Sequence, residues 1–162
     1  MAKVKIPVTA ATRILKQAKV DFTPYLYPYE ERGGTKTSAL ELGVDEHQVI
    51  KTLVMEDEQA TPFLVLMHGD REVSTKALAR VLEVKSVQPC PPQIADRHSG
   101  YQVGGTSPFG TRKAMPVYME ETVTAFETIY INGGKRGFLI EISPQDLISL
   151  LEPTLVTVAI EK

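Results

Sequence analysis

Apolar residues recur along the chain with two different periodicities, which divide it into helix-like and strand-like segments. Behind Thr9, a typical helix cap, apolar residues up to position 18 keep the spacing of one helical face. Residues 49–55 and 63–68 are instead apolar on both faces and predict buried strands. The same criteria predict further helices at 38–42, 74–82, 91–98 and 143–150, a capped turn at 45, and strands at 22–29, 115–119, 126–131, 138–142 and 155–160.

The tripeptide Asn132-Gly133-Gly134 separates two strand-like segments and predicts a tight hairpin, because such turns need residues that tolerate positive φ. Strands outnumber helices and many look antiparallel. The fold class is therefore α+β, a mostly antiparallel mixed sheet with flanking helices. No repeat, low-complexity tract or linker interrupts the 162 residues, so the sequence predicts one domain over 1–162.

Composition narrows the compartment and the class of partner. Cys90 is the only cysteine, which excludes an intramolecular disulfide and a cysteine-based zinc site and is typical of a reducing compartment. The three histidines lack metal-ligand spacing, and we expect no metal and no cofactor. A net charge of −2 argues against a protein that coats nucleic acid, but not against one that holds a short single-stranded end.

The sequence gives no signal for export or membrane insertion. Residues 1–7 contain Lys3 and Lys5, but no apolar stretch of signal-peptide length follows them. The longest purely apolar run, 63–67, is too short to cross a bilayer. We therefore expect a cytoplasmic protein without a membrane partner.

Lys51 is the most informative single residue, because it interrupts an apolar strand. It shares a face with Val49, Leu53 and Met55, and an unpaired ammonium on such a face is costly to bury. One interpretation is a cation that projects into a cleft, where it can bind a phosphate or a carbonyl oxygen. The other is a lysine that reaches the surface or protects a sheet edge.

A glycine-rich loop over residues 103–110 is the second candidate. Its glycines let backbone N–H groups approach a ligand closely, and such donors can stabilise charge on an ester oxygen. The loop lacks the Gly-Lys-Ser/Thr ending of a phosphate-binding P-loop, and it has one residue too many for a hydrolase nucleophile elbow. A simple structural turn remains the alternative.

Several cations and aromatic residues are candidates for nucleic-acid contacts. Lys135 and Arg136 near the predicted hairpin, with Arg112 and Lys113 after the glycine loop, could bind phosphates or be ordinary surface charges. The alternating tyrosines of 25–29 could stack on unpaired bases or pack within a sheet.

Taken in order, these blocks resemble the YbaK/EbsC family, whose members are editing domains related to the insertion domain of bacterial prolyl-tRNA synthetase. The resemblance extends over nearly the whole chain. The blocks that carry it are the amino-terminal helix and residues 22–27, 49–54, 100–110 and 128–137.

The resemblance implies a free-standing enzyme that hydrolyses mischarged tRNA, typically Cys-tRNA(Pro), with prolyl-tRNA synthetase as a candidate partner. The family's lysine corresponds to Lys51 and its aromatic residue to Tyr27, with Tyr29 as the alternative. Leu139 takes a position that is polar or acidic in the family, which leaves the choice of amino acid open. The family's Gly-x-x-x-Pro loop corresponds to Gly104, Gly105, Thr106, Ser107 and Pro108.

These assignments suggest catalysis without a metal or a protein nucleophile, since an aminoacyl ester is already activated. Lys51 would hold the 3′-terminal nucleotide, the glycine loop would hold the ester carbonyl, and the thiol of the cysteinyl group would attack the carbonyl carbon. The residues expected to bind the acceptor end of the tRNA are Tyr27, Tyr29, Phe109, Lys113, Lys135 and Arg136.

Three other functions remain open at this stage. One is editing of Ala-tRNA(Pro) or another aminoacyl-tRNA with water as the nucleophile. The second is a non-catalytic module that binds tRNA or a synthetase, and the third is a small-molecule hydrolase. The volume and polarity of the pocket around Phe109 and Leu139 should separate the first from a cysteine-specific enzyme.

Overall fold

A mixed β-sheet forms the centre of the computed structural model, which describes residues 6–162. The strands within this range are β1 (Thr23–Leu26), β2 (Val49–Asp57), β3 (Pro62–His68), β4 (Arg71–Val73), β5 (Val87–Pro89), β6 (Val117–Glu120), β7 (Ile129–Lys135), β8 (Phe138–Ile142), β9 (Thr154–Val156) and β10 (Ala159–Glu161). The helices are α1 (Ala10–Gln17), α2 (Gly34–Leu42), α3 (Thr75–Leu82), α4 (Pro92–Ser99) and α5 (Pro144–Leu151).

The strand order of the large sheet is β1-β8-β7-β2-β3-β6-β9, and β5 joins β2 beyond the end of β7. The pairs β1–β8, β8–β7, β2–β3 and β2–β5 are antiparallel, whereas β2–β7, β3–β6 and β6–β9 are parallel. A separate two-stranded sheet pairs β4 with β10. This arrangement confirms the predicted mixed-sheet α+β fold and places β2, which carries Lys51, at the centre.

The two largest apolar clusters of the described residues lie on opposite faces of the sheet. Because directly paired residues share a face, Ile50 and its neighbours on β3 and β7 lie on one side, and Lys51 and Leu53 lie on the other. The first side packs on α1 and α5 through Ala11, Leu15, Ile50, Leu66, Ile131, Ile140 and Leu147. The second packs on α3 through Met55, Val65, Met67, Leu78 and Val87. The α1 cap is Thr9, as predicted, and its hydroxyl accepts from the Thr12 N–H.

Two elements near the cavity described below differ from their predicted extents. β1 ends at Leu26, so Tyr27 and Tyr29 follow the strand instead of lying within it. α2 begins at Gly34, four residues before the predicted start. The sequence did not indicate this start, because Gly33 and Gly34 lack the apolar spacing that marks a helix. Its end at Gly43, which has a φ of 68°, is as predicted.

The predicted hairpin forms between β7 and β8, but its turn was placed wrongly. Asn132-Gly133-Gly134 belongs to β7 and forms a β-bulge, with Asn132 paired to Leu139 and Lys135 to Phe138. The Asn132 Oδ1 accepts from the N–H groups of Gly134 at 2.7 Å and Lys135 at 3.1 Å, which stabilises the bulge. The chain reverses at residues 136–137 instead, where Gly137 has a φ of 77°.

The predicted strand at 155–160 is in fact two strands that belong to different sheets, β9 and β10. The Glu120 carboxylate, which is 1% exposed, accepts from the N–H groups of Val158 at 2.6 Å and Ala159 at 2.9 Å. This buried acceptor holds the chain where it passes from one sheet to the other. The local pattern of residues 155–160 does not predict this contact.

No helix within residues 6–162 has both the length and the apolar character needed to span a bilayer. The expectation that residues 1–7 carry no export signal depends partly on residues 1–5, which lie outside the described range.

A pair of stacked histidines closes the end of the β2–β3 ladder. His68 is fully buried, and its ring lies parallel to that of His47 with 3.7 Å between the centroids. The Nδ1–H of His68 donates to the His47 carbonyl at 2.6 Å, so the Nε2 of the neutral ring accepts from the Thr122 hydroxyl at 2.7 Å. The Asp70 carboxylate lies 2.7 Å from the other ring, at the Nδ1 of His47.

Burial and the adjacent His47 lower the pKa of His68 below 6.5, although the His47 carbonyl, Asp70 and Glu120 oppose the shift. A depressed folded-state pKa means that the unfolded chain binds the proton more tightly. His68 therefore contributes stability that is fully present above about pH 6.5 and is lost as the pH falls through the folded-state pKa.

We expect a His68→Gln variant to show a smaller loss of unfolding free energy than wild type between about pH 7 and pH 5, because the group that must take up a proton is gone. Urea unfolding at a series of pH values measures this slope. His98→Gln, at a partly exposed histidine of α4, is the control and should keep the wild-type slope. Equal slopes in the two variants would contradict the assignment to His68.

Candidate functional site

A cleft of about 830 Å³ opens where β2 lacks a neighbouring strand on one side. β7 pairs with β2 only at Val49 and Ile50, and β5 pairs with it only from Met55 onward. Residues 51–53 therefore have no strand beside them on that edge among the described strands, and they line the cleft. Its volume lies within the usual range of small-molecule sites, about 300–1,000 Å³.

Lys51 projects into this cleft as a half-buried cation without a close counter-ion. Its Nζ lies 3.5 Å from the Gly69 carbonyl oxygen. Within residues 6–162, no carboxylate lies within 4.0 Å of that nitrogen. An ammonium held in this way keeps its capacity to bind an incoming anion or carbonyl oxygen.

Burial lowers the pKa of Lys51, and the positive charge of Lys162 lowers it further. Three carboxylates, at Glu72, Glu46 and Asp70, oppose this shift from a distance. Lys162 is itself 3.8 Å from Glu46, and its positive charge weakens the effect of that carboxylate on the pKa of Lys51.

The glycine-rich loop contributes Val103, Gly104 and Thr106 to the lining of the same cleft. Gly104 has a φ of 90°, which favours glycine, and the Tyr29 hydroxyl packs so closely that an added Cβ would lie 2.7 Å from it. The Gly105 N–H donates to the Gln102 carbonyl at 2.8 Å and closes a turn. The structure thus brings Lys51 and this part of the loop to one cavity.

The other loop candidates lie behind the cavity wall. Gly105, Ser107 and Pro108 are buried, and the Ser107 hydroxyl accepts from the Phe109 N–H at 3.1 Å. Phe109 is 0% exposed within the main apolar cluster. The expected contact of Phe109 with a substrate is therefore wrong, because its ring packs on α1 and the sheet and does not reach the cleft.

The aromatic and cationic candidates form a partial rim. Tyr27, which is half-buried, and Tyr29, which is 38% exposed, both line the cleft. The Arg136 guanidinium lies over the Tyr29 ring, 5.1 Å from its centroid. Lys113 and Lys135 are exposed but are not among the residues that line the cleft.

Leu139 and Thr52 add an apolar wall and a buried hydroxyl to the lining of the cleft. Leu139, from β8, is 4% exposed and presents an apolar wall. Thr52 was missed by sequence reasoning. Its Oγ1 is buried beside the cleft and has no hydrogen-bond partner within the described residues, which is uncommon for a buried polar group. Its position directly after Lys51, on an otherwise apolar strand, was the available signal.

Cys90 also lines the cleft, but its thiol is held in the protonated form. The Sγ–H donates to Glu56 Oε1 at 3.3 Å, and burial, with the Glu56 carboxylate, raises the pKa of Cys90 to about 12. A thiol held in this way is a poor nucleophile. No group of three or more His, Cys, Asp or Glu side chains among residues 6–162 could hold a metal ion.

The chain is similar to known proteins over most of its length. A family model described as "Aminoacyl-tRNA editing domain" matches residues 32–150. A protein of Enterococcus faecalis named "Putative Cys-tRNA(Pro)/Cys-tRNA(Cys) deacylase EbsC" is 32% identical over 143 residues, which cover 88% of this chain and 87% of that protein.

Two further matches are more distant. A proline–tRNA ligase of Limosilactobacillus fermentum is 22% identical over 138 residues, which cover 76% of this chain and 24% of the ligase. A solved structure described as "Crystal structure of a putative trans-editing enzyme for prolyl tRNA synthetase" has a TM-score of 0.80 at 19% identity, covers 97% of this chain and 99% of its own, and shows the same fold.

Proposed function

Because this chain belongs to the YbaK-type family of aminoacyl-tRNA editing domains, we propose that it hydrolyses mischarged Cys-tRNA(Pro) in trans. The proposal also assigns the editing domain to the whole of residues 1–162, beyond the matched 32–150. The packing of Ala11 and Leu15 from α1 into the main core supports the amino-terminal part of that boundary.

The observation that supports this function most is that Lys51 and the glycine loop line one cavity of about 830 Å³. An aminoacylated adenosine carries a phosphate, a ribose and an ester carbonyl within a short distance. An ammonium and a backbone amide that line one cavity can bind these groups together. The reaction then depends on orientation and on stabilisation of the oxyanion.

In the proposed mechanism, Lys51 binds the phosphate or ribose of the terminal nucleotide, and the loop of Gly104–Pro108 holds the ester carbonyl. The substrate thiol forms a bond to the carbonyl carbon, the bond between that carbon and the ribose oxygen breaks, and the thiol proton passes to the ribose oxygen. Water then opens the resulting thiolactone and releases free cysteine. No protein nucleophile takes part.

The remaining candidates extend the site toward the tRNA. Tyr27 and Tyr29 would pack against the terminal nucleotide, and Lys113, Lys135 and Arg136 would contact phosphates of the acceptor end. A net charge of −2 gives little general affinity for tRNA, so prolyl-tRNA synthetase is the proposed source of the rest.

A panel of charged tRNAs tests the substrate. We expect Cys-tRNA(Pro) to be hydrolysed fastest and Pro-tRNA(Pro) to stay intact. Ser-tRNA(Pro) should react far more slowly than Cys-tRNA(Pro), because a hydroxyl is a much weaker nucleophile than a thiol. Release of radiolabelled amino acid measures each rate.

Two results of this panel would contradict the proposal in different ways. Fastest hydrolysis of Ala-tRNA(Pro) would identify a different substrate and would exclude attack by a substrate thiol, since the alanine side chain carries no nucleophile. Equal rates for the serine and cysteine esters would leave the substrate class intact but would require water as the attacking group.

A further inference from the structure

Asn132 links the β-bulge of β7 to the glycine loop. While its Oδ1 accepts from the bulge amides, its Nδ2 donates to the Gly104 carbonyl at 3.2 Å. One side chain thus fixes both the strand and the loop. The Nδ2 contact is not needed for the β-bulge as such, because the Oδ1 contacts alone satisfy the amides of Gly134 and Lys135.

Arg136 makes the second connection between the same two segments. Its Nε–H donates to the Val103 carbonyl at 2.9 Å, and its guanidinium lies over Tyr29. Two successive carbonyls of the loop, those of Val103 and Gly104, therefore point at the hairpin. The contact of Gly105 with the backbone of Arg136 and Lys135 holds the two segments together at close range.

These two hydrogen bonds determine where the loop amides point. In a trans peptide the N–H is directed opposite to the C=O of the same plane. With the Val103 carbonyl bound to Arg136, the Gly104 N–H is turned away from the hairpin. It lies at the cavity wall and has no acceptor among the described residues, whereas the next amide, that of Gly105, is used by Gln102.

We propose that Asn132 and Arg136 are positioning residues that orient the Gly104 amide toward the carbonyl oxygen of the bound ester. The proposal rests on the deacylase function above and deepens it: the hairpin determines the geometry of the oxyanion site without itself contacting the reacting atoms. A preorganised donor stabilises the developing charge because it needs no reorientation during the reaction.

Asn132→Asp is the sharpest variant. The carboxylate keeps an acceptor for the bulge amides but cannot donate to the Gly104 carbonyl, and it places a second oxygen beside that carbonyl. We expect kcat to fall by about 10- to 100-fold with KM nearly unchanged, because the loss affects the transition state. Gln145→Glu, which adds the same charge at an exposed site on α5, is the control and should retain the wild-type kcat.

Arg136→Lys separates positioning from phosphate binding. Lysine keeps the charge but lacks the guanidinium Nε–H that donates to the Val103 carbonyl, so the positioning role predicts a fall in kcat. A role limited to phosphate contact predicts that Arg136→Lys retains wild-type kinetics and that Arg136→Gln raises KM.

Amide hydrogen exchange gives a readout that does not depend on catalysis. In Asn132→Asp we expect faster exchange at the Gly105 amide, which donates to the Gln102 carbonyl in wild type, and unchanged exchange in the central strands. Wild-type kcat in Asn132→Asp, or unchanged exchange in the loop, would overturn the proposal. A wild-type enzyme without deacylase activity would refute the proposed function instead, and the exchange experiment would still decide whether the loop is held in this way.

Discussion

A Lys51→Met variant is expected to hydrolyse Cys-tRNA(Pro) at least about 100-fold more slowly than wild type, the loss typical of removing one well-placed electrostatic group. Methionine has a similar length and shape but no charge. The ammonium is half-buried, lies 3.5 Å from the Gly69 carbonyl and has no close carboxylate, so it is free to bind substrate. Single-turnover deacylation measures the effect.

The same substitution should leave the free energy of unfolding unchanged or raise it, because an unpaired buried cation is costly to the folded state. Lys76→Met, at an exposed lysine of α3, is the matched control and should change neither quantity. Wild-type rates in the Lys51→Met enzyme would show that the cation takes no part in the mechanism. A large loss of stability would show that the ammonium has a partner in the fold.

The lowered pKa of Lys51 adds a pH dependence. If the charged form is the active one, activity falls as the pH rises through the pKa of Lys51, which lies below the ordinary lysine value. The rate of wild type should therefore decline at a lower pH than a solvent-exposed lysine would give. A profile that keeps rising with pH up to the ordinary lysine pKa would contradict this.

Gly105→Ala is expected to cause the second-largest effect. An added Cβ would lie 2.7 Å from the Arg136 amide nitrogen and 2.9 Å from the Lys135 carbonyl carbon, and these backbone atoms have little freedom to move. The loop must shift away from the hairpin. We expect kcat to fall by about 100-fold and the free energy of unfolding by about 1–3 kcal/mol.

Gly43→Ala separates loss of stability from loss of activity. Gly43 ends α2 with a φ of 68°, and alanine there strains the backbone without meeting any neighbouring atom. This variant should unfold more easily and yet retain its rate. If Gly105→Ala keeps its rate, or if Gly43→Ala loses its rate in proportion to its stability, the loop position is not what limits catalysis.

The central strand and its lysine were predictable because the signal is local. Residues 49–55 alternate between two apolar faces, so a charge at position 51 had to meet either a cleft or the surface. The sequence could not show that β7 stops pairing after Ile50 and that β5 joins only at Met55. This opening depends on the lengths of distant segments, and it is what creates the cavity.

The hairpin shows how a correct signal can be assigned to the wrong position. Asn-Gly-Gly and Arg-Gly both suit a reversal, and they lie only a few residues apart. The Asn132 side chain binds the Gly134 and Lys135 amides, and the Phe138 ring packs directly on Gly133, so the strand continues and the reversal moves to Gly137. These contacts are tertiary, and residue types alone do not specify them.

Phe109 was misassigned for a related reason. An aromatic residue next to a glycine loop fits a ligand contact or a core anchor equally well, and only the packing of α1 and the sheet around it decides. Thr52 shows the converse case, because its unsatisfied hydroxyl becomes evident only when every neighbouring donor and acceptor has been located.

The break in the pairing of β2 has a consequence for how relatives of this enzyme can diverge. Main-chain atoms form part of the cleft wall over residues 51–53, and substitutions of side chains leave these atoms in place. The far end of the opening is fixed where the Cys90 N–H donates to the Val54 carbonyl at 3.0 Å. A lengthened or shortened connection between β5 and α4 would move that point and change the length of the opening, while Lys51 and the glycine loop stay the same.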